Sequence, residues 1–145
     1  MSTTDVNSAA ALEAMIGSYN DAWNAHDLDA VLALHAPGMV FENHTAGELA
    51  EGDAVGPHIA AIFEGWPDLR FETRRLYTRD GIVVQEWTAH ATHTKRLSSG
   101  DIVAEPSGNA LSWVGMDVIP CEDGLVKRKD VYSDSVGILR QVGLL

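Results

Sequence analysis

Hydrophobic positions in the first third of the chain recur at three- and four-residue steps. Leu12, Met15, Ile16, Tyr19, Trp23 and His26 fall on one face of a helix, with Asp5 or Ser8 placed to cap its start. Asp27 reads as the N-cap of a second helix, Leu28 to His35, on which Leu28, Val31, Leu32 and His35 align before Pro37-Gly38 ends it. Met39-Val40-Phe41 opens a short strand running into Glu42-Asn43-His44. After a Gly-rich connection, Gly56-Pro57 starts a third helix, where the N–H that Pro57 lacks is not needed. That helix carries Ile59, Ile62 and Phe63 and stops at Trp66-Pro67.

Beyond Pro67 the period changes to two. Leu69, Phe71, Thr73 and Arg75 alternate with Arg70, Glu72 and Arg74, and Arg79-Asp80-Gly81 signals a turn. Ile82 to Thr94 forms a long strand, Lys95 to Ser107 a polar loop, and Ala110 to Pro120 and Leu125 to Tyr132 two further strands joined at Glu122-Asp123-Gly124. A helix over Ser135 to Val142 closes the chain. Helices first and an antiparallel meander afterwards predict one α+β domain over 1–145, with N-terminal helices packed on one face of the sheet. On the long strand, Gln85, Trp87, Ala89, Ala91 and His93 share the face expected to look inward. On the last strand the alternation groups Val126, Arg128, Asp130 and Tyr132 against Lys127, Lys129 and Val131. Trp113, Gly115 and Asp117 are expected to look away from the interior, and Met116 into it.

Composition narrows the function classes. The 145 residues hold 10 Lys and Arg against 21 Asp and Glu, a formal charge of −11. Such a chain lacks the clustered bases that hold a phosphate backbone or an anionic membrane surface, so neither nucleic acid nor membrane is expected as a partner. One cysteine, Cys121, excludes an internal disulfide and a Cys-rich zinc site. The opening MSTTDVNS has no basic run leading into an apolar segment, so a cytoplasmic protein is expected. His90 and His93 would point to opposite sides of a strand and cannot share a metal ion. Neither a phosphate-loop nor a dinucleotide glycine pattern occurs. No metal and no cofactor are expected.

Three stretches carry a family resemblance: Tyr19-Asn20-Asp21-Ala22-Trp23-Asn24-Ala25-His26-Asp27-Leu28-Asp29, then Trp66-Pro67-Asp68-Leu69, then Asp123-Gly124-Leu125-Val126 through Asp130, Tyr132 and Asp134 to Leu139-Arg140-Gln141-Val142-Gly143. Together they resemble the cone-shaped fold of the nuclear transport factor 2 (NTF2-like) superfamily, and within it the SnoaL-like polyketide cyclases and ester cyclases. The resemblance implies a deep pocket between a curved sheet and the helices, a homodimer, and cofactor-independent proton-transfer chemistry, cyclisation or isomerisation, on a small oxygenated, largely apolar metabolite such as a polyketide intermediate. Fold alone does not settle function, so each position needs its own reason.

Asp130 matches the aspartate that the cyclases use as acid/base. A carboxyl desolvated beside Val126 and Tyr132 would titrate in a useful range; the residues alone equally allow Asp130 to pair with Arg128 at the sheet rim. His93, in a Thr-His pair resembling the family's, would relay the proton, or serve as a satisfied rim histidine. Asn43 would orient a water or a substrate oxygen, and Tyr19 would donate to developing negative charge; the plainer readings are a strand-end Asn and a core aromatic. Trp23, Phe41, Phe63, Trp87, Met116 and Tyr132 would shape the binding pocket. Met116 stands where the cyclases hold a pocket histidine, a departure from the family pattern. The alternatives are an epoxide hydrolase or epoxide-opening cyclase, which would lack an Arg and an Asp replaced here by Trp87 and Ala89, and a non-catalytic small-molecule-binding module.

Overall fold

The computed structural model describes residues 5–99 and 101–145. Met1 to Thr4 of the opening MSTTDVNS, and Gly100 of the polar loop, lie outside the described residues. Helix α1 (Ala9–Asn24) starts where the Ser8 side chain accepts a hydrogen bond from the Ala11 N–H, and it buries Leu12, Ile16, Tyr19 and Trp23 on one stripe. Asp27 caps α2 (Leu28–Ala33) through the Ala30 N–H. The chain continues as β1 (His35–Asn43), β2 (Glu48–Glu51), α3 (Val55–Gly65), β3 (Arg70–Arg79), β4 (Ile82–Thr92), β5 (Leu97–Ser99), β6 (Ile102–Ala104), β7 (Ala110–Glu122), β8 (Leu125–Ser133) and α4 (Ser135–Gln141). The main sheet runs β2-β1-β8-β7-β4-β3, antiparallel throughout except for the parallel pair β1–β8, and β5–β6 form a separate ribbon. The α+β architecture with helices on one face of a curved, mostly antiparallel sheet is as expected. No helix among the described residues is long and apolar enough to cross a membrane.

Several boundaries differ for identifiable reasons. The second helix ends at Ala33, because Leu34 O accepts from Val126 N at 2.8 Å and the chain has already joined the sheet edge. His35 therefore belongs to β1, and Pro37-Gly38 sit within that strand, where its register with β8 shifts between His35 and Val40. The Gly-rich connection contains β2, and the polar loop contains β5 and β6. The turns at Asp80-Gly81 and Asp123-Gly124 each place two successive residues at positive φ (52° and 77°, 52° and 76°), the backbone that a two-residue hairpin requires.

The ladder between β7 and β8 is irregular. Cys121 pairs with Val126 and Val118 with Asp130, so Ile119 and Pro120 face three residues, Lys127, Arg128 and Lys129. This is a β-bulge, opposite a proline that has no N–H to give to a ladder. Side chains alternate strictly along a strand, so one extra residue exchanges the two faces beyond it. Val126 points into the core and is fully buried; past the bulge Lys129 and Val131 point inward, both buried, while Arg128, Asp130 and Tyr132 point outward.

Candidate functional site

Between the inner face of the sheet and helices α1 and α3 lies a cavity of about 210 Å³. Its sheet wall is built from facing pairs: Gln85 on β4 opposite Asp117 on β7, Asp117 opposite Val131 on β8, and Phe41 on β1 beside Lys129, with Trp113 further along β7. Asn20 and Trp23 from α1, and His58 and Ile62 from α3, close the other side. All four tryptophans of the chain, Trp23, Trp66, Trp87 and Trp113, line this space. Gly115 lies directly under the Trp87 indole: an added Cβ there would stand 2.5 Å from Cζ2 and 2.8 Å from Cζ3. A residue without a side chain is what lets that ring lie against the sheet.

The apolar walls enclose a polar floor. Asp117 is 2% exposed and Lys129 6%. Gln85 donates to Asp117 Oδ2 at 3.0 Å and receives from Asn20 Nδ2 at 2.9 Å, and Asn20 Nδ2 also reaches Thr73 Oγ1. Lys129 Nζ stands 3.7 Å from Asp117 Oδ2, longer than a hydrogen bond, and 4.2 Å from the centroid of the Trp23 ring. Burial pushes the Lys129 ammonium down from the ordinary lysine value; Asp117 pulls the other way without cancelling it. Asp117 Oδ1, Trp87 Nε1 and Trp23 Nε1 are buried without a hydrogen-bond partner among the described residues. Unpaired buried polar atoms are uncommon, and these three belong to residues that line the cavity.

The expected site residues divide between three places. Trp23, Phe41, Trp87 and Asn43 line the cavity, and Asn43 Oδ1 also accepts from the Ala46 N–H at 3.0 Å. Phe63 does not line it; the ring stacks on His26 and supports Trp23 edge-on from behind. Tyr19 is fully buried beneath the floor, its Oη 2.8 Å from His35 Nε2, and burial raises the phenol and pushes the His35 imidazole down to about 4. His93 is also fully buried but outside the cavity lining: its Nδ1 accepts from the Ser107 N–H at 3.2 Å and lies 2.8 Å from Ser107 Oγ.

Asp130, Met116 and Tyr132 are on the opposite side of the sheet, a correction to the expected faces. The bulge turns Asp130 and Tyr132 outward, and Met116 pairs with Glu86 and Tyr132 there, so the inward residues of β7 are Trp113 and Asp117. Arg128 Nε lies 2.9 Å from both Asp130 oxygens, His44 Nε2 is 2.8 Å from Oδ1, and Arg128 also binds Glu42. Burial would raise the Asp130 carboxyl, but the hydrogen bonds and charges of Arg128 and His44 outweigh it and hold it below the ordinary range. Glu42, His44 and Asp130 offer ligand atoms within 4.8 Å of one another, and the Arg128 guanidinium already pairs with both carboxylates.

The sequence pattern does not single out the floor residues Asp117, Lys129 and Gln85 as a site. It does place Gln85 inward, and the antiparallel partner of Gln85 is the signal that leads to Asp117. Counting back from the Asp123-Gly124 turn without a bulge would pair Asp117 with Asp130 instead.

Residues 16–129 match the family model described as the SnoaL-like domain. The chain is similar in structure to AclR, a candidate hydroxylase from Streptomyces galilaeus, at 21% identity and a TM-score of 0.79, over 95% of this chain and 88% of that one. A candidate SnoaL-like polyketide cyclase from Jannaschia sp. CCS1 is 16% identical, with a TM-score of 0.80 over 100% and 99% of the two chains. TerC, crystallised with polyporic acid, is 14% identical, with a TM-score of 0.72 over 90% and 97%. At these identities the likeness carries the fold alone. Comparison with curated protein sequences finds no match.

Proposed function

Because the chain belongs to the SnoaL-like domain family, we propose that its cavity is the active site of a cofactor-independent enzyme. It performs proton transfer, leading to cyclisation or isomerisation, on a small, oxygenated, largely apolar metabolite. The observation that carries this reading is the Asp117 carboxylate, buried at the cavity floor: Oδ2 is held by Gln85 and lies 3.7 Å from the Lys129 cation, and Oδ1 has no partner among the described residues.

In this reading Asp117 Oδ1 removes a proton from the carbon next to a substrate carbonyl. The Lys129 ammonium, preorganised in a dry site, stabilises the negative charge that moves onto the carbonyl oxygen. For cyclisation the enolate carbon attacks a second carbonyl carbon in the same molecule, and the resulting alkoxide takes the proton back from Asp117. For isomerisation the proton returns to a different carbon. Trp23, Trp66, Trp87 and Trp113 supply flat walls for a ring system, and Asn43 at the rim offers its amide to a further oxygen. Polyporic acid in TerC supports a ringed, oxygenated ligand. A second copy would pair through the outer sheet face, where Val114 and Tyr132 are about half exposed.

The binding-only alternative draws support from the Asp130–Arg128 pairing, which ties up the acid that the family resemblance assigns to catalysis. Proton exchange separates the two readings. The chain in D2O should exchange the α-protons of a bicyclic ketone such as 2-tetralone faster than buffer does. Asp117→Asn should slow the exchange about 100-fold or more, and Asp130→Asn should leave it unchanged. Binding without accelerated exchange, or equal rates in Asp117→Asn and the parent chain, would refute the catalytic reading.

A further inference from the structure

Lys129 has an environment that charge stabilisation alone does not require. Its Nζ stands 4.2 Å from the Trp23 centroid, 5.0 Å from Tyr19 and 5.8 Å from Phe41, at the wall of a cavity. Its carboxylate neighbour is 3.7 Å away, close enough to exchange a proton through a small movement but not bound to it. From this geometry we infer that Lys129 captures carbonyl ligands covalently, as an imine with an aldehyde or ketone carried on an apolar ring system. The inference rests on the proposed function only in taking this cavity as the reacting site.

The step balances without any further reactant. Lys129 passes one ammonium proton to Asp117, and the neutral Nζ lone pair forms a bond to the carbonyl carbon as the C=O π pair moves to oxygen. A proton shift from nitrogen to oxygen gives the carbinolamine. Asp117 returns its proton to that hydroxyl, the C–O bond breaks, and water leaves an iminium ion on Lys129 with Asp117 again a carboxylate. The iminium acidifies the adjacent carbon more strongly than a nearby cation does, so the same Asp117 can then act on it. The ionisable groups acting on Lys129 are Asp117 from β7, Tyr19 from α1 and His35 from β1. Asp117 favours the ammonium and burial favours the neutral amine, and together they hold the lysine below its ordinary value.

The chain has three lysines, Lys95, Lys127 and Lys129, so the site of capture can be mapped directly. Lys127 is exposed, 3.2 Å from the Glu122 carboxylate, and serves as the internal reference. The folded full chain is treated at pH 7 with stoichiometric 2-naphthaldehyde and cyanoborohydride, then mapped by peptide mass spectrometry. Lys129 should be reductively alkylated faster than Lys127, because its Nζ lines the cavity and its burial favours the neutral amine. Lys129→Met, checked for folding by circular dichroism, should lose that adduct and keep the slow labelling of Lys127. Faster labelling at Lys127 or Lys95, or no adduct at Lys129 in the parent chain, overturns the inference whatever the variant does. Accelerated α-proton exchange with no trapped adduct would overturn the imine and leave the proton-transfer reading standing; loss of both would remove both.

Discussion

Replacing Gly115 by alanine tests whether the cavity wall is built as described. The new methyl would stand 2.5 Å from Trp87 Cζ2 and 2.8 Å from Cζ3, with Cη2 closer still. Carbon atoms rest at roughly 3.5–4.0 Å, so the indole must retreat by about 1 Å. The ring is 4% exposed and packed edge-on against Phe71 at 5.1 Å, which leaves the cavity itself as the direction of escape. Overpacking of this kind costs about 1–3 kcal/mol. In a domain of this size that corresponds to a fall in Tm of roughly 3–10 °C. Because all four tryptophans line the cavity, intrinsic fluorescence reports the same event: emission should change without ligand, and quenching by a bound ring system should weaken. Gly17→Ala is the control. Nothing lies within 4 Å of an added Cβ on that exposed position of α1, so helix propensity alone should stabilise the chain by about 0.5–1 kcal/mol. A Gly115→Ala chain as stable as the parent, with unchanged emission, would refute the placement of Trp87.

The buried His35 and the outer-face Asp130 give two more measurable outcomes. The His35 imidazole sits at about 4 in the folded chain against 6.5 when unfolded, so the unfolded chain takes the proton first. Its contribution is therefore complete above pH 6.5 and lost as pH falls toward 4, roughly 3–4 kcal/mol in all, and urea midpoints at pH 7 and pH 4.5 should differ by more in the parent than in His35→Asn. Asp130→Asn should cost about 1–3 kcal/mol by leaving Arg128 short of a partner, while ligand quenching of tryptophan emission stays as in the parent; weakened binding would place Asp130 back in the site.

Much of the fold is legible in the sequence because local chemistry and global arrangement agree. Ser8 and Asp27 cap the helices whose starts their residue types signal, Asp80-Gly81 and Asp123-Gly124 form tight turns, and the inward face of β4 is Gln85, Trp87, Ala89 and Ala91 as alternation implies. The aromatic lining at Trp23, Phe41 and Trp87 comes from the same periodicity. The polar floor does not, because alternation holds only while the ladder is regular. Lys127-Arg128-Lys129 reads as a run of solvated bases, and no local pattern states that one of them is buried over an aromatic ring. That outcome depends on a bulge opposite Pro120, a pairing set by strand register. The same slip of one residue carries Asp130 outward to Arg128 and leaves Asp117 as the inward carboxylate. Met116 and Trp113 exchange sides for the related reason that the register of β7 is set by β4, not by its own sequence.

The most direct test of Asp117 and Lys129 as the reacting pair is the crystal structure of the chain with bound 2-tetralone. Its carbonyl oxygen should lie about 2.6–3.2 Å from Lys129 Nζ, or be replaced by a C–N bond to it, with the α-carbon facing Asp117 Oδ1. Ketone density against Arg128 and Asp130 on the outer face, or in the cavity with its oxygen turned away from Lys129, would contradict that assignment.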